Sequence, residues 1–101
     1  MTHFKVTREN LPQSVEFALN ECTSLLNAQQ KGGDNALIRD LHAALSALRL
    51  IESELRNRHG RQKNERSAAF TRYVVDENDQ IVMNEKLKNL IVNIEAIYKR
   101  Y

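Results

Sequence analysis

Three long stretches of the chain carry apolar residues at helical spacing, and this pattern restricts the fold more than any other feature. The stretches begin near Leu11, after Asp34 and after Asn84. In each, apolar residues recur at intervals of three and four, which places them on one side of a helix. The sequence therefore predicts a mainly α fold: a small antiparallel bundle of three long helices plus a short fourth element.

The predicted helix ends rest on residues that stabilise helix termini. Asn10, Asp34 and Asn84 each precede a stretch and belong to the residue types that cap first-turn amides. The glycine pair at 32–33 predicts the end of the first helix, because glycine readily adopts the left-handed conformation found there. The second helix is expected to run to about Arg58, with Gly60 as a candidate stop.

The segment 64–83 fits two structures. Ala69, Phe70, Tyr73 and Val74 have the spacing of a short helix with Ser67 near its start. The alternative is a hairpin with strands at 71–75 and 80–83, which the Tyr, Val, Thr and Ile content favours. The helix is preferred because it would complete the bundle.

The length of 101 residues predicts a single domain spanning 1–101, with residues 1–9 a candidate flexible N-terminal arm. No run of about 18 apolar residues exists, so no transmembrane helix or membrane partner is predicted. Cys22 is the single cysteine and lies on an apolar helix stripe. A buried thiol is unreactive, and the lack of a disulfide pattern predicts a cytoplasmic protein.

Positive charge is concentrated in one short segment. The chain has a net charge of +2, but residues 56–75 hold six basic side chains against the single acid Glu65, a local net charge of +5. Such a segment is a candidate for binding a nucleic-acid phosphate backbone or an acidic protein surface. The candidate basic site residues are Arg56, Arg58, Arg61, Lys63, Arg66 and Arg72.

Three apolar residues lie away from the predicted helix stripes. Phe17, Leu50 and Val92 are about 130°, 165° and 170° from the centres of their stripes at ~100° per residue. They are candidate anchors for a protein partner or a second copy of the chain. The alternative is that they form extra core beneath the fourth element.

Sequence patterns for catalysis and ligand binding are not found. The glycine pair lacks the rest of a phosphate-binding loop, and the histidines have no metal-ligand spacing. Arg56, Asn57 and His59 distantly resemble the R-N…H motif of the HEPN ribonucleases, whose arginine and histidine are farther apart. A solvated basic helix end is therefore preferred over the alternative of a minimal ribonuclease that uses Arg56 and His59. No catalytic residue, metal, cofactor or small-molecule substrate is therefore predicted.

The predicted function follows by elimination. The sequence favours a small non-enzymatic protein-binding module, such as an adaptor, regulator, inhibitor or immunity-type protein, that acts through a helix face. Its predicted partner is another protein, or a second copy of itself in a homo-oligomer such as a homodimer. The alternative is a DNA- or RNA-binding module that uses the basic segment 56–72.

If Leu50 and Val92 belong to such an interface, charged substitutions there should change the oligomeric state or partner binding without unfolding the chain. Leu50→Asp and Val92→Asp are compared with the wild type by light scattering and circular dichroism. Loss of the helical signal in both variants would instead assign the two residues to the core.

Overall fold

Four helices make up the protein in a computed structural model that describes residues 5–29, 32–56, 68–77 and 80–101. They are α1 (Leu11–Ala28), α2 (Asn35–Arg56), α3 (Ala69–Asp76) and α4 (Glu85–Arg100). The predicted fold class is confirmed, because three longer helices are accompanied by the short α3. The described ranges contain no strand, and residues 71–75 of the hairpin alternative are helical.

The apolar stripes of the helices meet in one core. Tyr98 and Phe70 are its largest fully buried side chains, whereas Tyr73 is only half-buried. Burial of each large apolar side chain contributes about 1.5–3 kcal/mol. The buried apolar residues are Val6, Leu11, Val15, Ala18, Cys22, Leu41, Ala44, Leu45, Ala47, Leu48, Ile51, Phe70, Met83, Leu87, Ile91, Ile94 and Tyr98.

Two of the predicted caps act directly on their helices. The Asp34 carboxylate accepts a hydrogen bond from the amide of Ala36 at 2.9 Å. The Asn84 side chain accepts from the amides of Lys86 and Leu87 at 2.8 and 3.2 Å. These bonds satisfy amides that have no partner within the first helical turn.

Asn10 occupies the predicted cap position of α1 but turns its side chain toward the preceding residues. The side-chain oxygen Oδ1 of Asn10 accepts from the main-chain amide of Thr7 at 2.7 Å. Its side-chain nitrogen Nδ2 donates to the main-chain carbonyl of Lys5 at 2.8 Å. Its side chain therefore makes no cap bond to α1. It holds the segment that brings Val6 into the core.

The end of α1 lies earlier than the glycine pair predicts. The helix ends at Ala28, where the amide of Gln29 donates to the carbonyl of Leu26 and tightens the last turn. Gly32, with φ of 85°, then turns the chain toward α2. The predicted end of α2 near Arg58 lies outside the described residues, which include α2 up to Arg56.

None of the described helices combines the length and the apolar character that crossing a membrane requires.

Cys22 is fully buried on the inner face of α1. Burial, with a smaller contribution from the charge of Glu21, raises the pKa of its thiol from 9.0 to about 11. When the chain unfolds above pH 9, the exposed thiol ionises whereas the folded one does not. Ionisation therefore favours the unfolded state as the pH rises from about 9 to 11.

The wild type should lose more stability than a Cys22→Ala variant when the pH is raised from 8 to 11. The expected difference in the pH-dependent part of the unfolding free energy is about 2 kcal/mol, since the thiol pKa rises from 9.0 to about 11 on folding and one pKa unit corresponds to about 1.4 kcal/mol. Urea unfolding at several pH values measures it. Equal pH dependence in the two proteins would contradict a protected thiol.

Candidate interaction surface

The short helix α3 cannot hold its place by its own sequence. It has eight residues, and the residue at its N-cap is Ala68, which makes no side-chain cap bond. An isolated helix shorter than about 12 residues is marginal in water because the cost of nucleation is spread over few hydrogen bonds. Contacts from α2 and α4 must therefore position it.

Glu95 of α4 supplies the missing cap from outside the helix. Its carboxylate is 1% exposed and accepts from the amide of Phe70 at 2.8 Å and from the amide of Thr71 at 2.6 Å. The Thr71 hydroxyl donates to the same carboxylate at 2.7 Å. The negative charge also lies at the positive end of the helix dipole. One side chain thus both starts α3 and attaches it to α4.

Asp40 of α2 holds the chain that leaves α3. Its fully buried carboxylate accepts from the amides of Val82 and Met83 at 2.8 and 3.2 Å. Its other oxygen accepts from the hydroxyl of Tyr73 at 2.5 Å. Residues 68–77 and 80–84 are therefore fixed at both ends by buried carboxylates, and they are called the anchored segment below.

Tyr73 links Asp40 to the protein surface. Its hydroxyl also accepts from Nε of Arg39 at 3.1 Å, and the Arg39 side chain is 44% exposed. Burial raises the pKa of Tyr73, and the hydrogen bond to Asp40 adds to this effect while Arg39 opposes it. The phenol therefore keeps its proton and its bond to Asp40 through neutral pH.

The anchored segment presents two large apolar side chains to solvent. Val75 is 69% exposed and Val82 is 49% exposed. Val82 points outward because its neighbours Ile81 and Met83 pack against the core. Arg72 lies one helical turn before Val75 on the outer face of α3 and is also exposed. A fixed backbone thus displays apolar groups beside a cation.

Sequence reasoning missed Val75 and Val82. The hydrophobic pattern of 64–83 fits both a helix and a hairpin, and the exposed face differs between the two. If α3 is taken to be helical, Val75 lies three residues after the charged Arg72 and therefore on the same face. This spacing could have identified Val75 as exposed.

The three apolar candidates of the sequence take different positions. Phe17 on α1 and Leu50 on α2 are 48% and 37% exposed, which agrees with their placement away from the stripes. Val92 is half-buried and packs against the core. Val92 therefore agrees with the alternative that it belongs to extra core, because packing around α4 extends beyond its main stripe.

Only the two ends of the basic segment can be placed. Arg56 ends α2 with its side chain 79% exposed, and its nearest carboxylate is that of Glu52 at 3.7 Å. Arg72 is exposed on α3. An exposed pair such as Arg56–Glu52 contributes at most about 1 kcal/mol, so both guanidinium groups remain available to a partner. Arg58, Arg61, Lys63 and Arg66 lie outside the described residues.

The two buried carboxylates have structural partners on every oxygen. Asp40 and Glu95 accept only from main-chain amides, a tyrosine and a threonine of the anchored segment. Across the described ranges, no buried side-chain oxygen or nitrogen lacks a hydrogen bond, and no three His, Cys, Asp or Glu residues are grouped as metal ligands would be. The hydrogen bonds of Asp40 and Glu95 therefore hold the anchored segment in place.

Comparison with family models, curated proteins and solved structures gives no significant match for this chain.

Replacing Glu95 by Gln should destabilise the fold by about 2–3 kcal/mol, because hydrogen bonds to a charged group are worth about 1.5–3 kcal/mol and the new amide would face main-chain donors. The measurement is urea unfolding followed by circular dichroism. Glu16→Gln, an exposed carboxylate on α1, is the control and should change stability by less than about 0.5 kcal/mol. An equal effect of both substitutions would contradict the capping role.

Proposed function

We propose that the protein is a non-enzymatic protein-binding module that docks on a partner through the anchored segment. The observation that carries the proposal is the pair of exposed valines, Val75 and Val82, on a backbone that Asp40 and Glu95 fix. A rigid surface loses little conformational entropy on binding, so more of the contact energy appears as affinity.

The exposed side chains of the anchored segment include two valines, the cation Arg72 and the acid Asp76 next to Val75, so they suit an apolar pocket whose rim carries both signs of charge. Burial of each valine in a partner would contribute about 1.5–3 kcal/mol at most. Arg72 would help to orient the partner and would raise the association rate, as charges at the rim of an interface do. Leu50 and Phe17 on α2 and α1 are further apolar positions that a larger partner could cover.

The proposed module is non-enzymatic, and its two buried acids fit a structural role. A general acid or base must reach the proton of a bound substrate, and both buried carboxylates instead hold main-chain amides. An adaptor, regulator, inhibitor or immunity-type protein needs only the surface. The proposal places the module in the cytoplasm, where the lone thiol of Cys22 would stay reduced.

The test introduces a photo-crosslinking residue at Val75 and, as a control, at the exposed Asn20 of α1. Irradiation in the source cells should give a discrete protein adduct from position 75 that position 20 does not give. The captured protein is then purified, and its affinity for the unmodified module is measured by calorimetry.

Val82→Asp should weaken that affinity at least tenfold, since a charge would replace an apolar contact worth about 1.4 kcal/mol or more. Lys99→Asp, on the exposed side of the last turn of α4, serves as the control and should leave the affinity within about twofold. The same adducts from positions 75 and 20, or equal affinities for both variants, would contradict the proposal.

A further inference from the structure

The outer face of α2 carries a regular line of polar and basic side chains. Its members are spaced alternately by three and four residues, so they form one row along the helix, and all are exposed. The row itself contains no Asp or Glu, and carboxylates lie beside its two ends: Glu52 is 3.7 Å from Arg56, and Asp40 and Glu77 are each 4.0 Å from Arg39. This basic stripe consists of Arg39, His42, Ser46, Arg49, Ser53 and Arg56.

Most of the stripe is available to a ligand. Arg49 has no hydrogen bond or ion pair with the described part of the chain, and Arg56 has only the exposed pair with Glu52 at 3.7 Å. Arg39, at the N-terminal end, is directed toward Tyr73 and the carbonyl of Gln80. The central and C-terminal parts of the row therefore carry its free donors.

The dimensions and chemistry of the row suit a regular polyanion. From Arg39 to Arg56 the stripe extends about 25 Å at 1.5 Å per residue. Its donors are guanidinium, imidazole and hydroxyl groups, which commonly contact nucleic-acid phosphates. The basic segment that begins at Arg56 continues the positive charge along the sequence.

Two other anionic ligands fit less well. Proteins that bind single strands combine cations with aromatic side chains on which bases stack, and the stripe contains no phenyl, phenol or indole ring. A protein interface needs an apolar centre. The stripe offers little of one, because the exposed apolar residue beside it is Leu50, which is 37% exposed. A phosphate backbone requires neither feature.

We propose that the basic stripe of α2 binds the phosphate backbone of duplex nucleic acid without reading its base sequence. The helix lies along the duplex with Arg49 and Arg56 contacting phosphates and Ser46 and Ser53 donating between them. Arg39 is the member of the stripe that contacts the anchored segment. The proposed phosphate contacts are made by Arg49 and Arg56 instead, so the inference does not depend on the proposed docking of a protein on the anchored segment. The proposed site lies on the helix α2 and shares only Arg56 with the segment 56–72, which is the nucleic-acid site that the sequence suggests.

The experiment measures binding of a fluorescent mixed-sequence duplex by anisotropy at several salt concentrations. Arg49→Gln/Arg56→Gln should weaken binding at low salt at least tenfold. It should also make the slope of log K against log salt shallower by about 2, because each phosphate contact contributes about 0.9. Arg49→Lys/Arg56→Lys retains both charges and should bind within about threefold of the wild type.

The control variant Lys86→Gln/Lys99→Gln removes the same charge from exposed positions on α4 and should change binding less than about threefold. Circular dichroism checks that all variants keep the helical signal. A labelled single strand and polyglutamate, at equal charge concentration, should each bind more weakly than the duplex.

Several results would overturn the inference. One is an absence of duplex binding by the wild type at low salt. Another is an equal loss of binding in the α2 and α4 variants, which would reduce the effect to net charge. Binding of the single strand or of polyglutamate as tight as that of the duplex would instead assign the stripe to that ligand.

Discussion

Two buried carboxylates, on α2 and α4, determine where the short helix α3 lies. Glu95 accepts the first amides of α3, and Asp40 accepts the amides of the chain that follows it. Burying a carboxylate is unfavourable unless hydrogen bonds replace its hydration. Because suitable donors lie in the anchored segment, the carboxylates and the segment depend on each other.

This dependence explains how a helix of eight residues acquires a definite outer face. The inner side chains of α3 include Phe70, in the core, and Tyr73, which reaches Asp40. Arg72 and Val75 are then directed to solvent by the geometry of the helix. The exposed valines are thus positioned by polar bonds beneath them. The basic stripe needs no such carboxylate bonds, because α2 is a long helix whose own apolar residues pack in the core.

Much of the architecture follows from local pattern. The three long stripes predict α1, α2 and α4, and the side chains of Asp34 and Asn84 cap the helices that they precede. Those predictions succeed because apolar periodicity and capping are properties of neighbouring residues. The half-buried position of Val92 depends on packing against other parts of the chain. The helix α1 ends before the glycine pair, in a local turn where the amide of Gln29 donates to the carbonyl of Leu26.

The sequence alone determined the three long helices, the placement of Cys22 in the core and the concentration of positive charge around residues 56–75. The tertiary structure alone decided that Glu95 caps α3, that Asp40 holds residues 82 and 83, and that Val75 and Val82 face solvent. The physical reason is distance along the chain. Hydrophobic spacing and first-turn caps act over a few residues, whereas these carboxylate bonds join residues 24 to 43 positions apart.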